Sequence, residues 1–202
     1  MDPWSTVTSK VAFLTRDDVD TDTIIPQVEL ITTGRTGLGG GLFANWRYGA
    51  ERRERPEFVL NMLPYRTARV LAAGRNFGCG SSREHAAWAL ADFGVKCLLA
   101  PSYGQIFYRN CLRSRIAPLV VPPETLVEIQ AVLGPACDAR DLNVDLETGR
   151  LWTEARTWTV ELDPAVAEYV VHGLDEVGRT LRAEPEIDTY ERGHAVPAVA
   201  VG

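Results

Sequence analysis

The chain has 202 residues, 46% of them hydrophobic and 24% charged, which is enough to bury a real core in one domain with elaborations or a domain plus a small appendage, and places it in the soluble globular class. Its formal net charge of −6 at pH 7 argues against nucleic acid or an anionic membrane as the main partner. No apolar run reaches the roughly 20 residues that span a bilayer, and Met1-Asp2-Pro3-Trp4 lacks the basic-then-apolar pattern of a secretory signal, so the expected location is the cytoplasm.

In chain order, residues 1 to about 60 read as irregular and turn-rich. Gly34, Gly37, Gly39, Gly40 and Gly41 cluster after Ile24-Ile25-Pro26, which predicts a long mobile loop over residues 27–41 that could close over a site. From Ala68 to Val121 the pattern alternates strand (69–73), helix (85–93), strand (95–100), helix (105–115) and strand (119–121). That alternation predicts an α/β fold with a parallel-sheet core and crossover helices. After Pro122-Pro123 come a short amphipathic helix (124–133) and a hairpin whose turn is Glu147-Thr148-Gly149-Arg150, between strands at 142–146 and 151–153. Asp163-Pro164 suits a helix start, the Asp as cap and the Pro at the first helical position, so a helical region is expected over residues 164–192, with a frayed tail at 193–202.

Cys79, Cys97, Cys111 and Cys137 show no metal-ligand or thioredoxin spacing. Cys97, in an apolar run, and Cys111, in a helix-like one, are expected to be buried as small hydrophobes. His85, His172 and His194 are too few and too dispersed for a zinc constellation, so the chain by itself is expected to hold no metal.

The chemistry concentrates in Gly74-Arg75-Asn76-Phe77-Gly78-Cys79-Gly80-Ser81-Ser82-Arg83-Glu84-His85, between an apolar run and a helix. Free N–H groups at such a helix start, the positive end of its dipole and the guanidinium fork of Arg83 suit a small carboxylate. Ser81-Ser82-Arg83-Glu84 also fits a capping box, with Ser81 as N-cap and Glu84 reaching back. A capping serine needs neither Gly78 nor Gly80, which remove side chains where a ligand would approach and permit positive φ. The stretch is no Walker A loop, since no Lys precedes the serines; it lacks the third glycine of a dinucleotide fingerprint and the elbow of an α/β-hydrolase. A second constellation, Asp17-Asp18-Val19-Asp20-Thr21-Asp22-Thr23-Ile24-Ile25-Pro26, reads equally as a turn capping its own backbone or as carboxylates that orient Arg83 or a substrate. It does not fit a calcium loop, which needs a central Gly and a Glu at the twelfth position.

Residues 19–26, Arg35-Thr36-Gly37-Leu38-Gly39, 74–88, Ala100-Pro101-Ser102-Tyr103, Ile106 to Cys111, His172-Gly173-Leu174-Asp175 and Gly178-Arg179-Thr180-Leu181 together resemble the 3-isopropylmalate dehydratase small-subunit family of the aconitase superfamily. The resemblance implies a swivelling β/β/α domain, here residues 1–192, and a separate large subunit carrying a [4Fe-4S] cluster in a heterodimer or larger assembly. It implies isomerisation of 2-isopropylmalate and 3-isopropylmalate, small dicarboxylates, by dehydration and rehydration in leucine biosynthesis. By the same resemblance Ser81 is the catalytic serine, Arg83 the substrate-carboxylate arginine, Ser82 a substrate hydrogen-bonding residue and Asp22 the acidic residue beside them. The partner's iron would then act as a Lewis acid on the substrate hydroxyl while Ser81 handles the proton on the adjacent carbon. A serine serves as base only if its alkoxide is stabilised, which helix N–H groups and Arg83 could do.

The loop after Pro26 reads Gln27-Val28-Glu29-Leu30-Ile31, where the family carries an aromatic and a basic residue, and Ser102-Tyr103-Gly104-Gln105 also departs from the family pattern. A malate with another C3 substituent is therefore an alternative substrate. Leu30 and Ile31, being apolar, and Arg35, suited to a carboxylate, are the candidate substrate contacts of this loop. An alternative of a different class is a non-catalytic anion-binding module in which Ser81 only caps the helix.

Overall fold

The computed structural model describes residues 2–30, 34–81, 83–135 and 139–194. The first correction to the sequence reading lies at the start, where the irregular region holds two strands, β1 (Thr6–Ser9) and β2 (Val11–Leu14). In β1 Val7 and Ser9 are buried and Thr6 and Thr8 exposed, the period-two pattern of a half-buried strand. The chain changes sheets at Lys10, whose Nζ donates to the Ala139 carbonyl at 2.6 Å and pairs with Asp141 at 3.3 Å.

Strands β2, β3 (Val70–Ala73), β4 (Cys97–Ala100) and β5 (Ala117–Val120) form a parallel sheet in that order. Every residue of the two central strands is buried, as expected where both faces of a parallel sheet are covered. The crossovers α1 (Thr21–Ile24), α2 (Ala44–Arg47), α3 (Glu84–Phe93) and α4 (Gln105–Arg113) join them. Alternate residues feed two cores. Leu14, Leu71, Ala73 and Leu98 pack with Ala86, Ala87, Ala89 and Leu90 of α3 and with Phe107 and Cys111 of α4. Val11, Val70, Cys97, Leu99 and Leu119 face Val144, Leu151 and Trp158 together with Ile129 and Leu133 of α5 (Pro123–Leu133). Each large aliphatic side chain so buried contributes about 1.5–3 kcal/mol.

The second sheet is antiparallel, in the order β1, β6 (Leu142–Asp145), β7 (Arg150–Trp152), β8 (Thr157–Thr159). The β6–β7 hairpin stands where the turn residues place it, with Gly149 at φ 68° against the Val160 carbonyl. The layers are thus helices, parallel sheet and antiparallel sheet with α5, the β/β/α arrangement expected. Among the described residues no helix is long and apolar enough to cross a membrane.

Asp163 caps α6 (Pro164–Val166), accepting from the Ala165 N–H at 2.8 Å. The helical region then departs from the sequence reading. It continues as a π-helical turn (Ala167–Val171), breaks at Gly173 with φ 67°, and restarts as α7 (Glu176–Arg182) under the Asp175 cap and α8 (Glu184–Gly193) with Pro185 in its first turn.

The expected free loop over 27–41 is corrected in its second half. Gly39 N–H donates to Asp92 at 2.7 Å, the buried Arg47 reaches the Gly39 carbonyl, and a Cβ on Gly39 would lie 2.8 Å from the Phe93 nitrogen. Gly39 permits close packing on α3, Gly41 on Glu29 and Ile25, and Leu38 and Leu42 are core residues.

Candidate active site

Three loops leave the carboxyl ends of β2, β3 and β4 and meet at that edge of the sheet, the place where open α/β sheets bind ligands. The acidic turn zips onto the glycine loop. Asp17 accepts from the Arg75 N–H and Asp18 from the Asn76 side-chain amide, both at 2.7 Å, while the Gly78 N–H donates to the Val19 carbonyl at 2.7 Å and the Thr21 N–H to Cys79 at 3.0 Å. From the other side, the Phe77 N–H donates to the Ser102 carbonyl at 3.1 Å and the Gly104 N–H to Phe77 at 2.9 Å. Close approach explains the glycines: a Cβ on Gly74 would lie 2.3 Å from the Arg16 carbonyl oxygen, and one on Gly78, at φ 73°, 2.2 Å from the Phe107 ring.

Both readings of the acidic run therefore hold in part. Asp20 caps α1, accepting from the Thr23 N–H at 2.7 Å, and Asp22 forms an ion pair with Arg83. The ion pair is made through Nη1, and among the described residues no group bonds Nε or Nη2, so that edge of the guanidinium fork stays open. Cys79, half-buried in the same loop, has its thiol pKa raised by burial and then by Asp20 and Asp18.

The capping-box expectation is overturned. Helix α3 starts at Glu84 and its N-cap is Arg83, whose side chain makes no capping hydrogen bond. Glu84 at the first helical position cannot reach back as the box requires. Ser81 sits three residues outside the helix, exposed, with its carbonyl accepting from Arg83 N–H at 2.8 Å and from Thr21 Oγ1 at 3.1 Å. Its hydroxyl is therefore free of the role that the anion-module alternative gave it. In the first turn of α3 the Ala86 N–H donates to the Arg83 carbonyl at 3.2 Å, which leaves the Glu84 and His85 N–H groups to be met from outside the helix.

Arg35 approaches the same helix start, 3.8 Å from Glu84 and with its guanidinium 5.2 Å from the centroid of the Trp88 ring. Leu30 is half-buried against the core. Ser82 and Ile31 lie outside the described residues, as does Cys137. Cys97 and Cys111 are buried as expected. A cavity of about 720 Å3 lies between α4 and the segment of α6 and α7, lined by Ser102, Tyr103, Tyr108, Arg109, Asp163 and Tyr169 and without Ser81 or Arg83. The chemistry assigned to the sheet edge rests on the converging side chains rather than on cavity size. Thr21 and Trp88 are the neighbours that sequence reasoning missed; only the position of Thr21 between Asp20 and Asp22 could have signalled it.

Among the described residues no group of three or more His, Cys, Asp or Glu is placed to hold a metal ion. The model of the aconitase C-terminal domain family matches residues 1–124. The chain is 42% identical over 196 residues, 96% of its own length and 97% of the relative's, to the 3-isopropylmalate dehydratase small subunit of Roseobacter denitrificans. This chain belongs to that small-subunit family. The corresponding small subunit of Rhodospirillum centenum is 43% identical over 192 residues, covering 95% of this chain and 94% of the relative. A solved 3-isopropylmalate dehydratase structure from Methanocaldococcus jannaschii superposes with a TM-score of 0.65 at 26% identity, covering 92% of this chain and 99% of that one. Family membership accounts for the swivelling-domain architecture, and the names of these small-subunit relatives imply a large partner for them.

Proposed function

We propose that this chain is the small subunit of a 3-isopropylmalate dehydratase, a hydro-lyase that isomerises 2-isopropylmalate and 3-isopropylmalate by dehydration and rehydration in leucine biosynthesis, in the cytoplasm. The observation that carries the reading is the turn at Asp20, Thr21 and Asp22, whose three successive residues meet Cys79, Ser81 and Arg83 on the facing loop. That turn presents an exposed serine and an arginine with open donors at one edge, a pairing suited to a substrate that carries a carboxylate beside the carbon losing its proton.

In this mechanism Arg83 binds a substrate carboxylate and Asp22 keeps its guanidinium in place. The unprotonated Ser81 oxygen takes the proton from the carbon next to the one bearing the hydroxyl; rehydration in the other sense returns it. The N–H groups at the start of α3 favour negative charge at this edge. Ser82 hydrogen-bonds the substrate, and Leu30, Ile31 and Arg35 meet the C3 substituent and the remaining carboxylate. The [4Fe-4S] cluster belongs to the large subunit, and neither chain is active alone.

Reconstitution tests this. Mixed with a cluster-loaded large subunit, the chain should support hydration of isopropylmaleate, and Ser81→Ala should lower turnover by about 100-fold or more. A folded Ser81→Ala complex with near-normal turnover would sink the assignment. A panel of C3-substituted malates in the same assay decides between isopropyl and another substituent.

A further inference from the structure

Thr21 is almost wholly buried, 1% exposed, in the first turn of α1. Its hydroxyl oxygen lies 3.1 Å from the Ser81 carbonyl and 3.5 Å from Ser81 Oγ. A threonine hydroxyl has one proton to give and two lone pairs. A carbonyl only accepts, so while Thr21 donates to it, a lone pair of Thr21 faces the Ser81 hydroxyl. If Ser81 loses its proton, its oxygen becomes the strongest acceptor within reach. The Thr21 proton can then turn to it by rotation about one bond. The Ser81 carbonyl is not orphaned by that turn, because the Arg83 N–H also donates to it at 2.8 Å.

We infer that Thr21 is a positioning residue for the proposed serine base: a hydroxyl rotor that donates to the Ser81 carbonyl when Ser81 is protonated and to Ser81 Oγ when it is not. Thr21 keeps its own proton throughout, and the proton exchanged with substrate stays between Ser81 and carbon. The inference rests on the reading of Ser81 as base. A hydrogen bond given only to the charged form favours that form, so Thr21 holds the serine pKa down. Asp20 and Asp22 flank Thr21 in the chain, Cys79 bonds to that turn and Arg83 to it and to the Ser81 carbonyl, and Asp18, Glu84, His85 and Arg35 lie on the adjoining segments. They are common to every variant below, so a shift between variants reports on the Thr21 hydroxyl.

The test uses the reconstituted two-subunit enzyme. Thr21→Val keeps the volume and removes the hydroxyl, whereas Thr21→Ser keeps the hydroxyl. Thr21→Val should lower kcat about ten- to a hundredfold, the worth of one hydrogen bond to an ionised oxygen. It should leave KM within about twofold and move the rise of kcat with pH upward by about one to two units. Thr21→Ser should restore both the rate and the pH profile. In a Ser81→Ala background, Thr21→Val should have no further effect, because it acts through the missing oxygen. Circular dichroism checks the fold, and Thr21→Ala replaces the valine variant if that one does not fold. Parent-like kcat in the variants lacking the hydroxyl overturns the inference, as does a fall in rate with an unmoved pH profile that Thr21→Ser fails to restore. Near-normal turnover in Ser81→Ala alone instead overturns the reading of the base, whatever Thr21 does.

Discussion

Gly78 and Gly80 both stand at positive φ, 73° and 90°, yet their surroundings differ. An alanine at either position takes on the left-handed penalty of about 1–2 kcal/mol. At Gly80 little more is expected, because the nearest atom to a new Cβ is the Asp20 Cβ at 3.5 Å, ordinary contact. At Gly78 the Cβ would fall 2.2 Å from two carbons of the Phe107 ring. That ring is 2% exposed and packs edge-on against Phe77 with centroids 5.5 Å apart, so it has no open direction in which to retreat. Overpacking of this kind adds about 1–3 kcal/mol. Gly78→Ala should therefore destabilise the chain by roughly 2–5 kcal/mol and Gly80→Ala by roughly 1–2. With a urea slope of roughly 3 kcal/mol per molar, taken from the upper end of the usual range for a chain of this size, the midpoints should fall by about 0.7–1.7 M and by about 0.3–0.7 M. Urea titrations followed by tryptophan fluorescence measure both. Equal midpoint shifts would show that Phe107 gives way freely and that packing under the loop adds nothing to backbone strain.

In the reconstituted enzyme, Arg83→Lys keeps the charge and loses the planar fork, so kcat/KM should fall about tenfold or more; unchanged kinetic constants would mean that Arg83 serves only as the partner of Asp22. The Cys79 thiol, its pKa raised by burial and by Asp20 and Asp18, stays protonated to higher pH than a free thiol. Its alkylation, followed by mass spectrometry, should accordingly be slow at about pH 8 and quicken only as pH rises further, and the rate of an unhindered cysteine at pH 8 would contradict the burial described for it.

The alternation from residue 69 to 121 was legible because its central strands are continuous apolar runs, because α3 and α4 at ten and nine residues are long enough to show a helical period, and because Gly74, Gly94 and Pro122 punctuate it. Asp163 as a cap and Gly149 in a hairpin turn were legible for the same reason, since a cap or a tight turn is settled by residues within four positions of one another. The glycine loop and the acidic run stood out by composition, and resemblance to a family joined them. Other features needed the folded chain. β1 and β2 are separated by Lys10 alone and belong to different sheets, so no turn residue marks the boundary between them, and their pairing partners lie far away at β6 and β3. The capping box at Ser81 satisfied every local rule and yet is not used, because the hydrogen bonds that hold residues 75–81 to the acidic turn and to Ser102 carry the chain past Ser81 before α3 begins. The contact of Thr21 with Ser81 spans 60 positions and leaves no periodic trace. Short-range geometry determines elements in the sequence itself, but which loops share an edge, and which hydroxyl faces which, is decided only when the sheet brings distant segments within hydrogen-bonding reach.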